Sequence, residues 1–525
     1  MYTDNKIYLG LADGRRVSMA LNMANRHGLI AGASGTGKTI TMKVLTESFS
    51  DAGVPVFLCD IKGDVSGLAE PGAQSESMEK RIDKFGLRES FRYRAYPVTF
   101  WDVYGENGHP IRATVSDMGP ELLSRILGLT AAQEGVLNIV FRIADDNGLL
   151  LLDLKDLRAM LGYVGEHRAE LLTTYGNITT QSLGGILRAL LPLENQGGDR
   201  FFGEPDLDIL DLMRTDANGR GMVNLLDCVR LAQNPTLYAT FLLWLMSELF
   251  ERLPEAGDLD KPKLVFFFDE AHMLFSGAPK VLVQKIEQVV KLIRSKGVGV
   301  YFVTQNPADI PDSVLAQLSN RVQHALRAYT PAEQKAVRAA AQAFRANPAF
   351  KTEDVIMELG VGHALVSLLD ENGVPSIVQQ TAIICPQSLM APCADAARRS
   401  AMSGDGMAKY DKAVDSDSAY EELERRKLDD ERQAQLDAER EAFEKEKAAF
   451  EEQKRKEEEA AEKKRLKEEE AEEKRRAREE EKRQAAYDRA VERRKAKIES
   501  QVISAGGQIL KRGLLNTIFG GSKKK

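Results

Sequence analysis

Cysteine is scarce in this chain. Only Cys59, Cys228, Cys385 and Cys393 occur in 525 residues, and no two form a C-x-x-C pair. The first three lie in apolar, strand-like runs, where a buried reduced thiol is the expected state. Long apolar runs are also missing. The longest, around residues 238–246, is too short to span a bilayer. The opening Met-Tyr-Thr-Asp-Asn-Lys has no signal-peptide apolar stretch. A soluble, cytoplasmic protein without a transmembrane segment is expected. An excess of basic charge is absent too. The net charge is −7, and residues 401–525 balance 32 acidic against 32 basic side chains, so the first 400 residues carry all of it. An acidic body is not the footprint of a protein that coats DNA nonspecifically. A local basic lining inside a ring or groove remains compatible with it.

The most informative stretch is a short apolar run (Leu29, Ile30) leading into Gly32-Ala33-Ser34-Gly35-Thr36-Gly37-Lys38-Thr39, with a helix-like segment from Ile40 onward. This is G-x-x-x-x-G-K-T in the strand–loop–helix context that the motif requires. Its glycines let the backbone curl so that N–H groups face a phosphate chain at the positive end of the following helix. Lys38 is expected to reach the β- and γ-phosphates and the Thr39 hydroxyl to ligate Mg²⁺. Residues 32–40 thus form a candidate nucleoside triphosphate site. No N/T-K-x-D base-reading motif follows, which disfavours a GTPase.

A buried parallel strand is expected at 54–60, further strands at 96–104 and 222–229, a central strand buried on both faces over 263–270, and another buried strand over 297–307 that ends in amides. The first ends in Asp60-Ile61-Lys62-Gly63-Asp64, placing charge at the carboxyl edge of the sheet, where ligands bind in open α/β folds. Lys263 to Phe268 delivers Asp269 and Glu270 to the same edge. In P-loop enzymes the first such acid supports Mg²⁺, and the second is placed to polarise the attacking water. Gln305, one of the amides ending the 297–307 run, can bond a γ-phosphate or that water. Asp269-Glu-Ala-His272 spells a helicase tetrapeptide, but no Q-x-x-G-R-x-G-R follows, so His272 is read as a packed or hydrogen-bonding histidine. A strand at 319–329 carries Arg321 and Arg327, either of which could reach γ-phosphate charge in cis or from a neighbouring subunit. Three- and four-residue apolar spacing marks a mainly helical insertion at about 117–215, further helices at 236–253 and 280–296, and a hairpin at 363–384.

In this order, residues 32–39, Asp60-Ile-Lys-Gly-Asp64, Asp269-Glu-Ala-His272, Thr304-Gln305-Asn-Pro and the Arg321/Arg327 strand resemble the HerA/FtsK superfamily of RecA-like ATPases, most nearly the bacterial HerA-like family. The resemblance covers roughly residues 5–390. It implies an α/β, RecA-like core with a mainly parallel sheet, ATP at a subunit interface of a hexameric ring, and double-stranded DNA as the threaded polymer. It further implies that residues 32–39 bind phosphates and Mg²⁺, that Asp269 and Glu270 are the Walker B pair, that Gln305 is a sensor, and that Arg321 or Arg327 is an arginine finger. The chain departs from HerA itself in its acidic body and in having its phosphate loop too early for an N-terminal β-barrel.

The expected organisation is an ATPase domain over 1–395, a linker over 396–419, a charged helix or weak coiled coil over 420–500, and an amphipathic basic segment over 501–525. Residues 420–500 lack Gly and Pro and repeat opposite charges at four-residue steps, as in Glu441/Lys445 and Glu452/Lys456. Leu436, Phe443 and Phe450 keep step at seven, but Glu457 breaks the seam. A mostly solvated helix that could engage a protein partner is expected. Two functions stand: an ATP-hydrolysing ring motor of the DNA translocase or helicase type, or a nucleotide-switched scaffold acting through its tail without DNA translocation.

Overall fold

The computed structural model describes residues 1–275, 280–469 and 483–497. The expected segment at 501–525 lies outside them. Residues 1–426 form one compact unit and the chain from Lys427 a second.

The first unit is built on a 13-stranded sheet. In chain order the strands are β1 (Tyr2–Thr3), β2 (Lys6–Ala12), β3 (Arg15–Ala20), β4 (Gly28–Ala31), β5 (Val56–Asp60), β6 (Val98–Asp102), β7 (His109–Pro110), β8 (Val223–Asp227), β9 (Leu264–Phe268), β10 (Val298–Thr304), β11 (Asn320–Gln323), β12 (His363–Ser367) and β13 (Gln379–Ile383). They lie side by side as β1-β2-β13-β12-β11-β4-β10-β9-β5-β8-β6-β7, with β3 on β2. From β11 to β7 every pairing is parallel. The β12, β13 and β1–β3 wing is antiparallel. The strands β5, β9 and β10 are buried along their whole length. Alternate side chains feed two cores: Phe57, Cys59, Phe266 and Phe268 enter one, while Val56, Leu58, Val265 and Phe267 enter the other. This two-sided burial explains why these strands read as unbroken apolar runs.

The helix α1 (Lys38–Asp51) follows β4, and α2 (Glu76–Lys84) follows β5. The expected helical insertion is present between β7 and β8 as α3 (Val115–Ile126), α4 (Ala131–Asp146), α5 (Leu154–Glu166), α6 (Arg168–Tyr175), α7 (Thr180–Asn195) and α8 (Gly198–Phe201). Helix α9 (Pro235–Arg252) is apolar nearly all round because it is buried within the larger core, contributing Tyr238, Phe241 and Trp244. Helix α10 (Lys280–Ile293) precedes β10. Helix α11 (Asp312–Leu315) precedes β11, and α12 (Pro331–Gln342) and α13 (Thr352–Glu358) follow it.

Two expectations need correction. The 319–329 run is a strand only over Asn320–Gln323, so Arg327 lies outside it. The 396–419 segment is packed rather than loose. Helix α14 (Asp395–Gly404) sets Arg398 over the Phe100 ring at 4.8 Å. Met407, Tyr410 and Ala419 then join the large core, with Tyr410 edge-on to Trp101. Buried His109 sits between Asp405 (3.2 Å) and Asp411 (2.6 Å).

In the second unit, α15 (Ala419–Glu469, beginning in the first) carries the expected pairs Glu441–Lys445 (2.5 Å) and Glu452–Lys456 (2.7 Å). Leu436 and Phe443 are exposed, so they form no seam among the described residues. Residues 483–497 are again helical. Arg494 donates to Gln453 Oε1 (3.1 Å) and covers the Phe450 ring, and Lys454 covers the Tyr487 ring. On one straight rod, 41 residues would separate such partners by about 60 Å. The two described helical stretches therefore run antiparallel to each other.

Candidate functional site

Register places the candidate residues at one edge. Thr304 pairs with Ala31, Phe302 with Phe268, and Cys59 with Phe268. The segments that follow β4, β10, β9 and β5 therefore emerge together: the loop from Gly32, then Gln305, then Asp269-Glu270, then Asp60 to Lys62.

The loop is fastened at both shoulders. Gly32 N–H donates to Thr304 O (3.2 Å) and Ala33 N–H to Ala325 O (2.7 Å). Thr36 Oγ1 donates to Ala33 O (2.7 Å), while Gly362 N–H donates to Thr36 O (3.2 Å). Ser34 and Gly35 remain exposed between these anchors. Gly37 has φ 116°, open to glycine at no steric cost. A Cβ on Gly32 would lie 2.5 Å from His324 Cβ, so the backbone approaches too closely for any side chain. Lys38 donates to Gly32 O (2.8 Å) and Ala33 O (3.1 Å), setting its ammonium across the loop mouth. Burial, and then the charge of Lys62, push its pKa down. Thr39 and Ile40 follow in the first turn of α1, both half-buried.

Asp269 is buried, and burial followed by the adjacent Glu270 pushes its carboxyl up to about 6. A nearby cation would reverse this shift. Among the described residues no group of three or more His, Cys, Asp or Glu side chains could hold a metal ion. A hydroxyl at Thr39 and one carboxylate at Asp269 instead fit Mg²⁺, a hard cation commonly held by one or two protein oxygens together with substrate phosphates.

Glu270 adopts a left-handed conformation (φ 45°, ψ 48°), which costs a non-glycine residue about 1–3 kcal/mol. Three side chains hold it. Lys62 Nζ lies 2.5 Å from Oε1, Gln305 Nε2 donates to Oε1 and Oε2 (3.1 and 3.3 Å), and His272 Nδ1 lies 3.3 Å from Oε2. Burial alone would raise the Glu270 pKa, but Lys62 and Gln305 more than offset it and hold the carboxyl below its usual range. His272 is thus a close neighbour of the Glu270 carboxylate. Gln305 bonds the glutamate, while the turn beside it is made by Asn306, whose Oδ1 accepts from Ala308 N–H (3.1 Å).

Asp60 faces its own turn: Gly63 N–H donates to Oδ1 (2.8 Å) and Val65 N–H to Oδ2 (3.1 Å). Its carboxyl is also pushed up to about 6, by burial and then by Asp64. Neither arginine makes a hydrogen bond to residues 32–39. Arg321 donates to the carbonyls of Leu318 (2.9 Å), Leu315 (2.9 Å) and Ala343 (3.3 Å). Exposed Arg327 donates to Met357 O.

Two residues were missed in the sequence reading. Lys62 stood in the quoted Asp60–Asp64 run without a role. His324 bonds Thr41 Oγ1 through Nε2 (2.8 Å) and His363 O through Nδ1 (3.0 Å), bracing the loop from behind. Burial depresses its pKa to about 4 and keeps it neutral. The available signal was its position, directly after a strand that ends at the loop's edge.

The chain matches the family model described as helicase HerA-like C-terminal over residues 8–525. No curated protein sequence matches it. Among solved structures it is similar to plasmid coupling protein TrwB in complex with ADP and Mg²⁺, at 14% identity and TM-score 0.50, covering 75% of this chain and 92% of that one. The TrwB complex with the ATP analogue ADPNP gives 12% identity and TM-score 0.50 over 74% and 91%. VirB4 of Thermoanaerobacter pseudethanolicus gives 15% identity and TM-score 0.46 over 73% and 97%. The TrwB likeness supports the RecA-like α/β fold described above.

Proposed function

The chain belongs to the helicase HerA-like C-terminal family, and we propose that it is an ATP-driven ring motor acting on double-stranded DNA. It is a P-loop ATPase that works with ATP and Mg²⁺. The single observation that carries the reading of the site is the convergence of the loop at residues 32–39, Asp269-Glu270 and Gln305 on one sheet edge. Residues 32–37 cradle the phosphates with main-chain N–H groups. Lys38 leaves the Gly32 and Ala33 carbonyls to pair with phosphate charge, and Thr39 and Asp269 hold the metal, which when bound neutralises charge on the transferring phosphoryl group. Glu270 takes the proton of the attacking water, worth about 10²–10⁴-fold, and Gln305 orients both.

A hexameric ring places this site against a neighbouring copy, which supplies an arginine. Arg327 is the better supported finger, because it is exposed, whereas Arg321 is bonded to three carbonyls of its own chain.

The deciding experiment measures ATP turnover with linear duplexes of increasing length at several salt concentrations. A motor gives stimulation that grows with length and falls steeply with salt. Turnover indifferent to DNA would leave the nucleotide-switched scaffold in its place. Light scattering with and without ATP-Mg²⁺ tests the ring: six copies are expected with nucleotide, and a monomer in both states contradicts ring and finger together.

A further inference from the structure

Two lysines in the first unit carry contrasting burdens. Lys43 is fully buried, and its ammonium donates to Leu389 O at 2.7 Å. It is a structural lysine. The Lys62 side chain is 42% exposed, whereas that of its partner Glu270 is 6% exposed. The carboxylate is fixed by Gln305, His272 and its own backbone; the lysine is a flexible stem rising from solvent. The ammonium can therefore leave the pair through solvent while the carboxylate stays where it is.

The stem starts from a rigid base. Asp60 clamps the turn at Gly63 and Val65, so Lys62 stands at a set place beside β9. Its charge is felt at Lys38, whose ammonium lies across the loop mouth. Two ammonium groups thus face the place where the triphosphate is read to sit. Only one of them, Lys62, is paired with a carboxylate, and that carboxylate is the residue assigned to activate water.

We propose that Lys62 is a γ-phosphate sensor that latches Glu270: it pairs with the carboxylate until ATP binds, then transfers to the terminal phosphate and frees the base. ADP lacks the group that draws the lysine away, so it leaves the latch closed. The ammonium leaves one anion for another, so the one group that gives up a countercharge is the Glu270 carboxylate. Once Lys62 departs, Glu270 keeps Gln305 and His272 beside it and is open to a water. The inference rests on the reading of Glu270 as the base.

Binding of ATPγS and ADP, each with Mg²⁺, to wild type, Lys62→Met, Lys62→Arg, Glu270→Gln and the Lys62→Met/Glu270→Gln double variant tests it. Lys62→Met is expected to weaken ATPγS about tenfold or more, the loss of one charge-assisted bond, with ADP affinity unchanged and Lys62→Arg restoring most of the difference. Glu270→Gln removes the competing carboxylate and is expected to tighten ATPγS relative to ADP. That gain should vanish in the double variant. An unchanged ATPγS-to-ADP ratio in Lys62→Met overturns the sensor, whatever Glu270 does. Normal hydrolysis by Glu270→Gln instead overturns the assignment of the base, so the two failures are separable.

Discussion

At the scale of single residues, the proposed chemistry turns on Glu270. Its carboxylate is held in a strained backbone conformation by Lys62, Gln305 and His272. Replacement by glutamine keeps size and one accepting oxygen while removing the base. Glu270→Gln is expected to lower kcat about 10²–10⁴-fold with nucleotide still bound, as read by single-turnover hydrolysis beside equilibrium binding. The neighbouring acids give a pH signature. Asp60 and Asp269 both titrate at about 6, above the ordinary carboxylate value. Being raised acids, they disfavour the folded state when ionised, so this penalty is present above pH 6 and is relieved as pH falls from 6 toward 4. Metal binding runs the other way, because Asp269 must be anionic to hold Mg²⁺. Mg²⁺-nucleotide affinity should therefore fall below pH 6, by up to about tenfold per pH unit for one linked proton. Calorimetry at pH 5.5 in two buffers of different ionisation enthalpy should record proton release on binding. No release would remove Asp269 from the metal shell.

At the scale of elements, the short strand Asn320–Gln323 keeps Arg321 and leaves Arg327 beyond its end, which separates the two by task. Arg321 joins the ends of neighbouring segments through the carbonyls of Leu315, Leu318 and Ala343. Arg321→Ala leaves those acceptors unpartnered and should cost about 1.5–3 kcal/mol of stability, visible as a lowered Tm. Arg327→Ala should leave Tm nearly unchanged and cut turnover by about 10³-fold or more, if it serves a neighbouring site. The reverse assignment of the two effects would transfer the finger to Arg321. The loop at residues 32–39 likewise depends on other elements. His324, beyond β11, closes against Gly32 and bonds Thr41 of α1, so strand β11 braces the loop as well as extending the sheet.

At the scale of the whole molecule, the boundary falls later than composition suggests. Residues 1–426 form one unit, because Met407, Tyr410 and Ala419 enter the main core and Ser418 Oγ donates to Asp156 (2.5 Å). A chain ending at Arg426 should unfold cooperatively and bind nucleotide as the full chain does. One ending at Gly404 loses the buried Tyr410 ring beside Trp101 and should be less stable by roughly 2–4 kcal/mol, from burial and ring contact together. Thermal unfolding of the two truncations checks this. Equal Tm values would return residues 405–419 to a loose linker.

The sequence by itself determined the parallel core strands, the helical insertion, the phosphate loop and the Asp269-Glu270 pair. Each is encoded in contiguous residues: glycine spacing for the loop, two-sided apolar runs for the strands, three- and four-residue steps for the insertion. Tertiary structure alone decided what those residues touch. Lys62 meets Glu270 across 208 positions and Thr41 meets His324 across 283, and no local pattern records such pairings. The same holds for Arg321, whose acceptors are main-chain carbonyls indifferent to residue type. It holds too for the tail, where Arg494 meets Gln453 and Phe450 and no charge pattern records the pairing. Backbone preference acts over a few residues and is written locally. The charge environment of the site arises only when strands from distant parts of the chain end side by side.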